Sequence, residues 1–402
     1  MNKQKLLSKL KILIICFFLG IICGIIGALF SKGVAFVTLL RQNNQWLLYL
    51  LPVAGVFSVI LYKLLKVDNM GTNQVIKSAE DEGSFSPKLA PAVFVASLLS
   101  HLCGASVGRE GAALQLGGGS ALFISKWFKF NKDEEKLLIY GGMAGVFASV
   151  FGTPLAAGIF ALEVVFVGMI QLSAIVPTYV TALVSFFTAR LLGAHAERFD
   201  LGQMPTFDFF VAWKFLVLTL LAICVAVAFC LSLHYSEKLF EKVFKNQYLR
   251  IGVGGVAIAL LTVIIGTTDY NGAGVNIIEN IFKTGSFVPI AFLFKMLFTC
   301  ISVGTGFKGG EIVPTLFIGA TLGALIGAFL GLPVGFSAAI SMITLFASVT
   351  NCPVASVLLA VELFSGKGVV YFIIAVVLSY FLSGKISLYS AQKIEGIKKK
   401  LW

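Results

Sequence analysis

The stretch Gly108-Arg109-Glu110-Gly111 sets two opposite charges side by side between glycines. The chain before it is apolar for many residues, and the chain after it, Ala112–Ala121, is small and Gly-rich. Ionisable residues at membrane depth are expensive and mark functional sites. Gly309-Gly310-Glu311-Ile312-Val313-Pro314 repeats the theme, and Gly71-Thr72-Asn73 is a turn signal ahead of a short, weakly apolar segment. All three read as helix starts. A helix that begins inside a membrane presents unpaired backbone N–H groups and the positive end of its dipole. Together these make an anion site, and glycine lets the ion approach the backbone. An anion held without a full positive charge can also leave, as transport requires.

Glu110 adds a proton to this chemistry. Its carboxylate can occupy the anion position itself, and once protonated it becomes neutral and can withdraw. The exchange of carboxylate for anion couples proton movement to anion movement. The plainer reading is a helix-capping acid paired with Arg109. Glu311 is either a simple N-terminal charge satisfying the dipole or a second polar group on the anion path. Tyr389, in Gly384–Lys393 (GKISLYSAQK), is either an interfacial anchor or an ion ligand. Lys295 can snorkel or pair internally, and His101, on an apolar run, reads as a packing residue. The seven cysteines show no zinc spacing and no disulfide framework, and the three histidines are scattered. With no nucleotide loop, metal cluster or nucleophile–base set, the expectation is neither an enzyme nor a cofactor protein.

The elements that must position these residues are membrane helices. The 402-residue chain is 58% hydrophobic and only 12% charged, with a mean hydropathy of +0.95, whereas globular domains carry about 25% charged residues. Apolar runs of bilayer length cover Ile12–Phe30, Trp46–Leu65, Leu89–Val107, Leu172–Leu192, Val211–Leu233 and Ile251–Ile265, with Val288–Val303 spanning wholly or partly. A helix from Gly108–Gly111 to about Ser125, the run Gly309–Leu330 and a last run Val369–Leu382 complete the set. Leu137–Phe166 and Ala338–Leu363 are interrupted at Pro154 and Pro353, so each predicts short helices rather than one span. Gly193–Asp208, with His195, Glu197 and Arg198, reads as an exposed loop, and Ser236–Arg250 as an amphipathic cytoplasmic link. Lys3, Lys5, Lys9 and Lys11 precede the first run, and Lys393, Lys398, Lys399 and Lys400 crowd the end. The positive-inside rule places both termini in the cytoplasm. The net charge of +12 thus reads as membrane-surface electrostatics, not nucleic-acid binding. The expectation is one integral domain over 1–402 without a soluble regulatory domain.

The chain also repeats itself. Phe147–Glu163 (FASVFGTPLAAGIFALE) and Phe346–Glu362 (FASVTNCPVASVLLAVE) share 8 of 17 residues. Gly108 pairs with Gly310, Gly117 with Gly319 and Gly71 with Gly274, all at nearly equal offsets and in the same order. Two homologous halves, about 1–200 and 201–402, follow. Glu163 and Glu362 are equivalent in them, which favours a structural role at helix ends. Short, Gly/Pro-interrupted segments at corresponding places are the best sequence pointer to a transporter's midplane site.

These residues resemble the CLC family of chloride channels and proton-coupled anion transporters. GREG at Gly108–Gly111 is similar to the family's GREGP motif, with Ala112 in place of proline. GGEIVP at Gly309–Pro314 resembles its GxFxP region. GTN at Gly71–Asn73 takes the place of its GSGIP motif, and the segment around Tyr389 resembles that of its ion-coordinating tyrosine. The resemblance implies an all-α membrane fold of two inverted-topology repeats with broken and re-entrant helices. It implies a homodimer with one anion pathway in each subunit, and Glu110 as the proton-carrying gate. Thr72 would stand for the central-site serine and Tyr389 for the central tyrosine, with the backbone N–H groups of Gly111, Glu311, Ile312 and Val313 around the anion.

Asn73, the missing prolines and the acidic Glu311 depart from chloride-handling members. They resemble the fluoride-exporting branch, with Gly-x-Asn in the first motif and an acid after the second glycine pair. Fluoride is small and strongly hydrated, so extra hydrogen-bonding side chains could replace its water. The expectation is a fluoride/proton antiporter of a bacterial plasma membrane. The alternatives are a chloride/proton exchanger or a passive anion channel of the same fold. The family's inner proton glutamate is expected near Gly193–Glu197, where His195 and Glu197 are candidates but neither matches clearly, so a different inner proton route, by water, is expected.

Overall fold

The computed structural model describes residues 3–80, 82–206 and 208–402, with the side chains of residues 3–9, 397 and 401 left out. Asp81 of the first polar break, Phe207 of the Gly193–Asp208 segment and the side chains of Lys3, Lys5 and Lys9 therefore lie outside the described residues. Helices dominate. The first half runs α1 (Lys3–Asn43), a 3-10 turn (Gln45–Leu50), α2 (Leu51–Leu64), α3 (Thr72–Ala79), α4 (Leu89–Cys103), α5 (Glu110–Phe128), α6 (Lys132–Phe151), α7 (Pro154–Glu163), the two-residue strand β1 (Phe166–Val167) and α8 (Leu172–Leu191). The second half runs α9 (Phe209–Val243), α10 (Gln247–Ile265), α11 (Val275–Thr284), α12 (Ala291–Thr305), α13 (Ile312–Leu330), α14 (Val334–Thr350), α15 (Pro353–Leu363), α16 (Val369–Leu382), β2 (Lys393–Ile394) and α17 (Gly396–Leu401). Among the described residues, six helical segments are long and apolar enough to cross a membrane.

The breaks fall where local chemistry demands them. Pro154 and Pro353 stand at the first position of α7 and α15, where the missing N–H has no helical partner to lose. The preceding helices end on Gly152 (φ +71°) and Asn351 (φ +56°), both left-handed as helix C-termini favour. Leu89–Val107 was expected as one run, but α4 stops at Cys103 because Gly104 turns left-handed at φ +92°. Its counterpart α12 stops the same way at Gly306, φ +109°.

Other expectations needed correction. Trp46–Leu65 is one stretch of spanning length, Gln45–Leu64, but it changes from 3-10 to α geometry at Leu51-Pro52, since Pro52 lacks an N–H to donate. The link Ser236–Arg250 is not a separate segment. Helix α9 continues through it to Val243 and α10 begins at Gln247, because Ser236 docks on α12 by donating to the Cys300 carbonyl at 3.0 Å. Helix α6 is a full 20-residue helix, not a short one, because Asn131 caps it at the charged end by accepting from Glu134 N–H at 2.9 Å. Gly193–Asp208 is not simply exposed, since Ala194, Phe199 and Leu201 are buried.

Glu163 and Glu362 stitch the halves together reciprocally. The Glu163 carboxylate accepts from Val354 N–H (3.1 Å) and Ala355 N–H (2.8 Å) at the start of α15. The Glu362 carboxylate accepts from Leu155 N–H (3.0 Å) and Ala156 N–H (2.8 Å) at the start of α7. Each acid satisfies the orphan donors of the opposite half, the helix-end role their equivalence suggested. Strand β2 pairs in parallel with β1, Phe166 opposite Lys393, so the C-terminal tail lies beside the end of α7. Helix α8 then runs about 30 Å, so the segment after Leu191 lies at the opposite end of that helix from the tail.

Candidate anion and proton site

The starts of α5 and α13 meet head to head. Gly310 N–H donates to the Gly108 carbonyl at 2.9 Å, and Gly108 N–H returns a bond to the Gly310 carbonyl, forming one antiparallel bridge. Side chains would push this seam apart. A Cβ on Gly111 would lie 2.8 Å from the Gly309 carbonyl oxygen, and one on Gly310 would lie 2.6 Å from Gly111 N.

Glu110 is the first residue of α5 and is fully buried. Its carboxylate lies against Gly108 and Gly310. It faces its own backbone N–H and that of Val313, yet neither oxygen completes a hydrogen bond of good geometry. Arg109 is not its capping partner. The guanidinium turns away to an ion pair with Glu197 and lies 5.5 Å from the Phe151 ring centre. The structure thus rejects the Arg109–Glu110 pair and leaves a buried carboxylate next to two helix N-termini.

The other expected residues gather around this point. Thr72, the first residue of α3, accepts from Gln115 Nε2 at 3.0 Å and reaches the Gly111 carbonyl at 3.4 Å. Asn73 Oδ1 accepts from Ala391 N–H at 3.2 Å, which ties α3 to the Tyr389 segment. Tyr389 is buried, its hydroxyl has no partner, and it lies within the fields of both Glu311 and Glu110. Ile312 and Val313 are buried in the first turn of α13. Glu311 caps that helix from outside, half-buried, within the fields of Glu110, Glu237 and Lys308. The third start has no counterpart at the site: α11, the repeat of α3, supplies Glu279, Phe282 and Lys283 to a vestibule on the face opposite the tail.

Gln115 escaped the sequence reading. A glutamine inside a Gly-rich apolar helix was the available signal, and its Oε1 is another buried acceptor without a partner. Lys295 pairs internally: its Nζ donates to the carbonyls of Tyr270 (3.1 Å) and Gly272 (2.6 Å). His101 packs fully buried with Nδ1 2.8 Å from the Ser97 carbonyl. Glu197 and His195 line the vestibule, about 750 Å³, together with Arg109 and Lys32. Helix α8, about 30 Å long, separates both residues from the end of α7, where the tail lies. The vestibule wall is fixed at the loop's other end, where Lys367 donates to Asp200 at 2.9 Å and holds that carboxyl below its ordinary range.

Residues 54–384 match the model of the voltage gated chloride channel family. The chain belongs to the CLC family. A chloride/fluoride channel protein of Pseudomonas syringae pv. tomato is 32% identical over 93% of this chain and 84% of its own length. The H(+)/Cl(-) exchange transporter ClcA of Citrobacter koseri is 25% identical over 95% of this chain and 88% of its own. Among solved structures, a CLC-type fluoride/proton antiporter superposes with a TM-score of 0.92 at 29% identity, covering 98% of this chain and all of that one. The CLC fold of apolar, broken helices makes this chain a membrane protein.

Proposed function

We propose that this CLC chain is a secondary-active fluoride/proton antiporter that exports fluoride and admits protons, with Glu110 as the gate. The observation that carries the reading is the Glu110 carboxylate: buried, unbonded and set between two half-helix starts. Charged, it holds the place an anion would take against the N–H groups of Gly111 and Val313. Protonated, it no longer gains from the dipole ends and yields the place. The Tyr389 hydroxyl, free of any partner, supplies a donor beside it, and the Thr72 hydroxyl does so when it turns from the Gly111 carbonyl, which it reaches only at 3.4 Å. The Asn73 carbonyl oxygen is engaged, so its amide N–H₂ is the end left to meet an anion. Glu311 shapes the preference for fluoride from the mirrored start.

Several further features belong to this reading. The chain sits in a bacterial plasma membrane with its Lys-rich tail, and hence both termini, in the cytoplasm. It forms a single membrane domain of two inverted halves and pairs as a homodimer in which each subunit has its own pathway. Exposed apolar side chains on α8 and α16, among them Leu172, Leu191 and Val370, offer surface to lipid and to a second copy. The relatives that exchange chloride make chloride/proton exchange the reading to test against. In proteoliposomes, an imposed proton gradient should drive fluoride uphill. Fluoride that only relaxes to its electrochemical equilibrium would reduce the protein to a passive channel, and uphill chloride without fluoride would make it a chloride exchanger.

A further inference from the structure

A second opening lies on the tail face, away from the gate. Helix α9 crosses from the vestibule side, so the start of α10 and the end of α2 lie at the cytoplasmic surface. There a cavity of about 70 Å³ is walled by Tyr62 of α2, Arg250 and Gln247 of α10, and Lys308, with exposed Asp68 at its rim. By this measure roughly 10–15 Å³ holds one water, so there is room for a small ion with part of its hydration.

The donors of this cavity are unspent. Tyr62 is 2% exposed and its hydroxyl has no partner. Arg250 pairs with Glu241 through Nη1 at 3.2 Å, which leaves its buried Nε without an acceptor. Lys308 Nζ lies 4.8 Å over the Tyr62 ring and makes no hydrogen bond among the described residues. The hydroxyls of Ser58 and Thr305, by contrast, already donate to the carbonyls of Ala54 and Ile301. Buried donors are ordinarily satisfied; the Tyr62 hydroxyl and Arg250 Nε are not, and together with the half-buried Lys308 ammonium on the same cavity wall they describe an anion acceptor. Its position gives it a use. Lys308 immediately precedes Gly309-Gly310-Glu311 and lies within the field of Glu311.

We infer that Tyr62, Arg250 and Lys308 form a capture site for the transported small anion on the cytoplasmic face, feeding the start of α13. The inference rests on the transport reading above. The site strips water from the ion in stages, since a strongly hydrated anion exchanges its shell for charged donors more readily than for backbone N–H groups alone. The acids nearby, Glu311, Glu237 and Glu241, keep the pocket from holding the anion too tightly.

Inside-out membrane vesicles, which expose the cytoplasmic face to the bath, give the test. Initial uptake is measured against bath anion concentration, using fluoride, or chloride if the wild type carries only chloride. Lys308→Gln should raise the apparent KM about tenfold, the scale of one lost charged donor. Tyr62→Phe, which keeps the ring under Lys308, should raise it several-fold. Lys308→Arg should restore it, and anion-to-proton stoichiometry should not change. An unchanged KM in both Lys308→Gln and Tyr62→Phe overturns the capture site, as does an equal KM rise in right-side-out vesicles. A wild type that carries no proton-coupled fluoride overturns the transport reading alone, because the same KM comparison then proceeds with chloride.

Discussion

Gly108-Arg109-Glu110 and Gly310-Glu311-Ile312 have the same backbone and opposite chemistry. Arg109 caps α5 at φ −113°, ψ −14°, and Glu311 caps α13 at φ −105°, ψ −11°. One bridge joins the two starts. What differs is one step of register. In the first half the acid is the first helical residue and its side chain turns into the seam. In the second it is the cap itself, half-exposed and within the fields of Glu110, Glu237 and Lys308. The cap of the first half, Arg109, turns outward to Glu197. An inverted repeat supplies two equivalent cradles, and one step of register decides which of them holds a fully buried carboxylate.

The comparison can be broken most sharply at Glu110. Glu110→Gln should lower proton-coupled fluoride flux by about a hundredfold or more, the scale of losing a positioned proton-transfer group. Simultaneous recording of fluoride and pH in proteoliposomes reads this, and intact coupling would remove Glu110 from the gate. Next in size is the seam itself. Gly108→Ala and Gly310→Ala should each destabilise the protein by about 1–3 kcal/mol, since both add a methyl against the Glu110 carboxylate. Thermal unfolding in detergent measures this. A clear loss at only one glycine would mean that the two starts are not mechanically equivalent.

Smaller effects sharpen the difference between the two acids. Glu311→Gln should keep coupling and lower the fluoride-to-chloride flux ratio by roughly tenfold, about one charged hydrogen bond's worth of discrimination. Loss of coupling instead would show that both acids carry protons. The least change is expected at the outer pair. Glu197→Gln frees Arg109, and inhibition by external anions should strengthen about two- to threefold, as befits a partly exposed ion pair. The effect should fade at high salt. A salt-independent change would point to repositioning of the vestibule wall rather than to charge.

Much of the frame was readable beforehand because it is local. Pro154 and Pro353 end helices in any setting, and the start of α16 at Val369 and its end at Leu382 match the apolar run residue for residue. The failures are non-local. Helix α9 runs past Leu233 because Ser236 finds the Cys300 carbonyl 64 residues away. The plainer alternative for Glu110 paired it with Arg109, its neighbour in sequence. Arg109 pairs 88 residues away instead, since adjacent helix-start residues point in different directions. Gln115, Tyr62 and Lys308 carried no motif. Only their shared walls and empty hydrogen-bonding capacity single them out.

The sequence by itself determined that this is a membrane chain of two related halves whose glycine-flanked acids stand at helix starts. Hydropathy, proline and glycine act over a few residues, and a repeat needs no coordinates to be seen. The tertiary structure alone decided which way each charge faces. The Glu163 and Glu362 carboxylates cap each other's opposite halves, and Glu110 is sealed into the seam while Arg109 is drawn out to Glu197. Those outcomes depend on donors brought together by packing from segments as much as 207 residues apart, and buried polar groups settle where a partner is available.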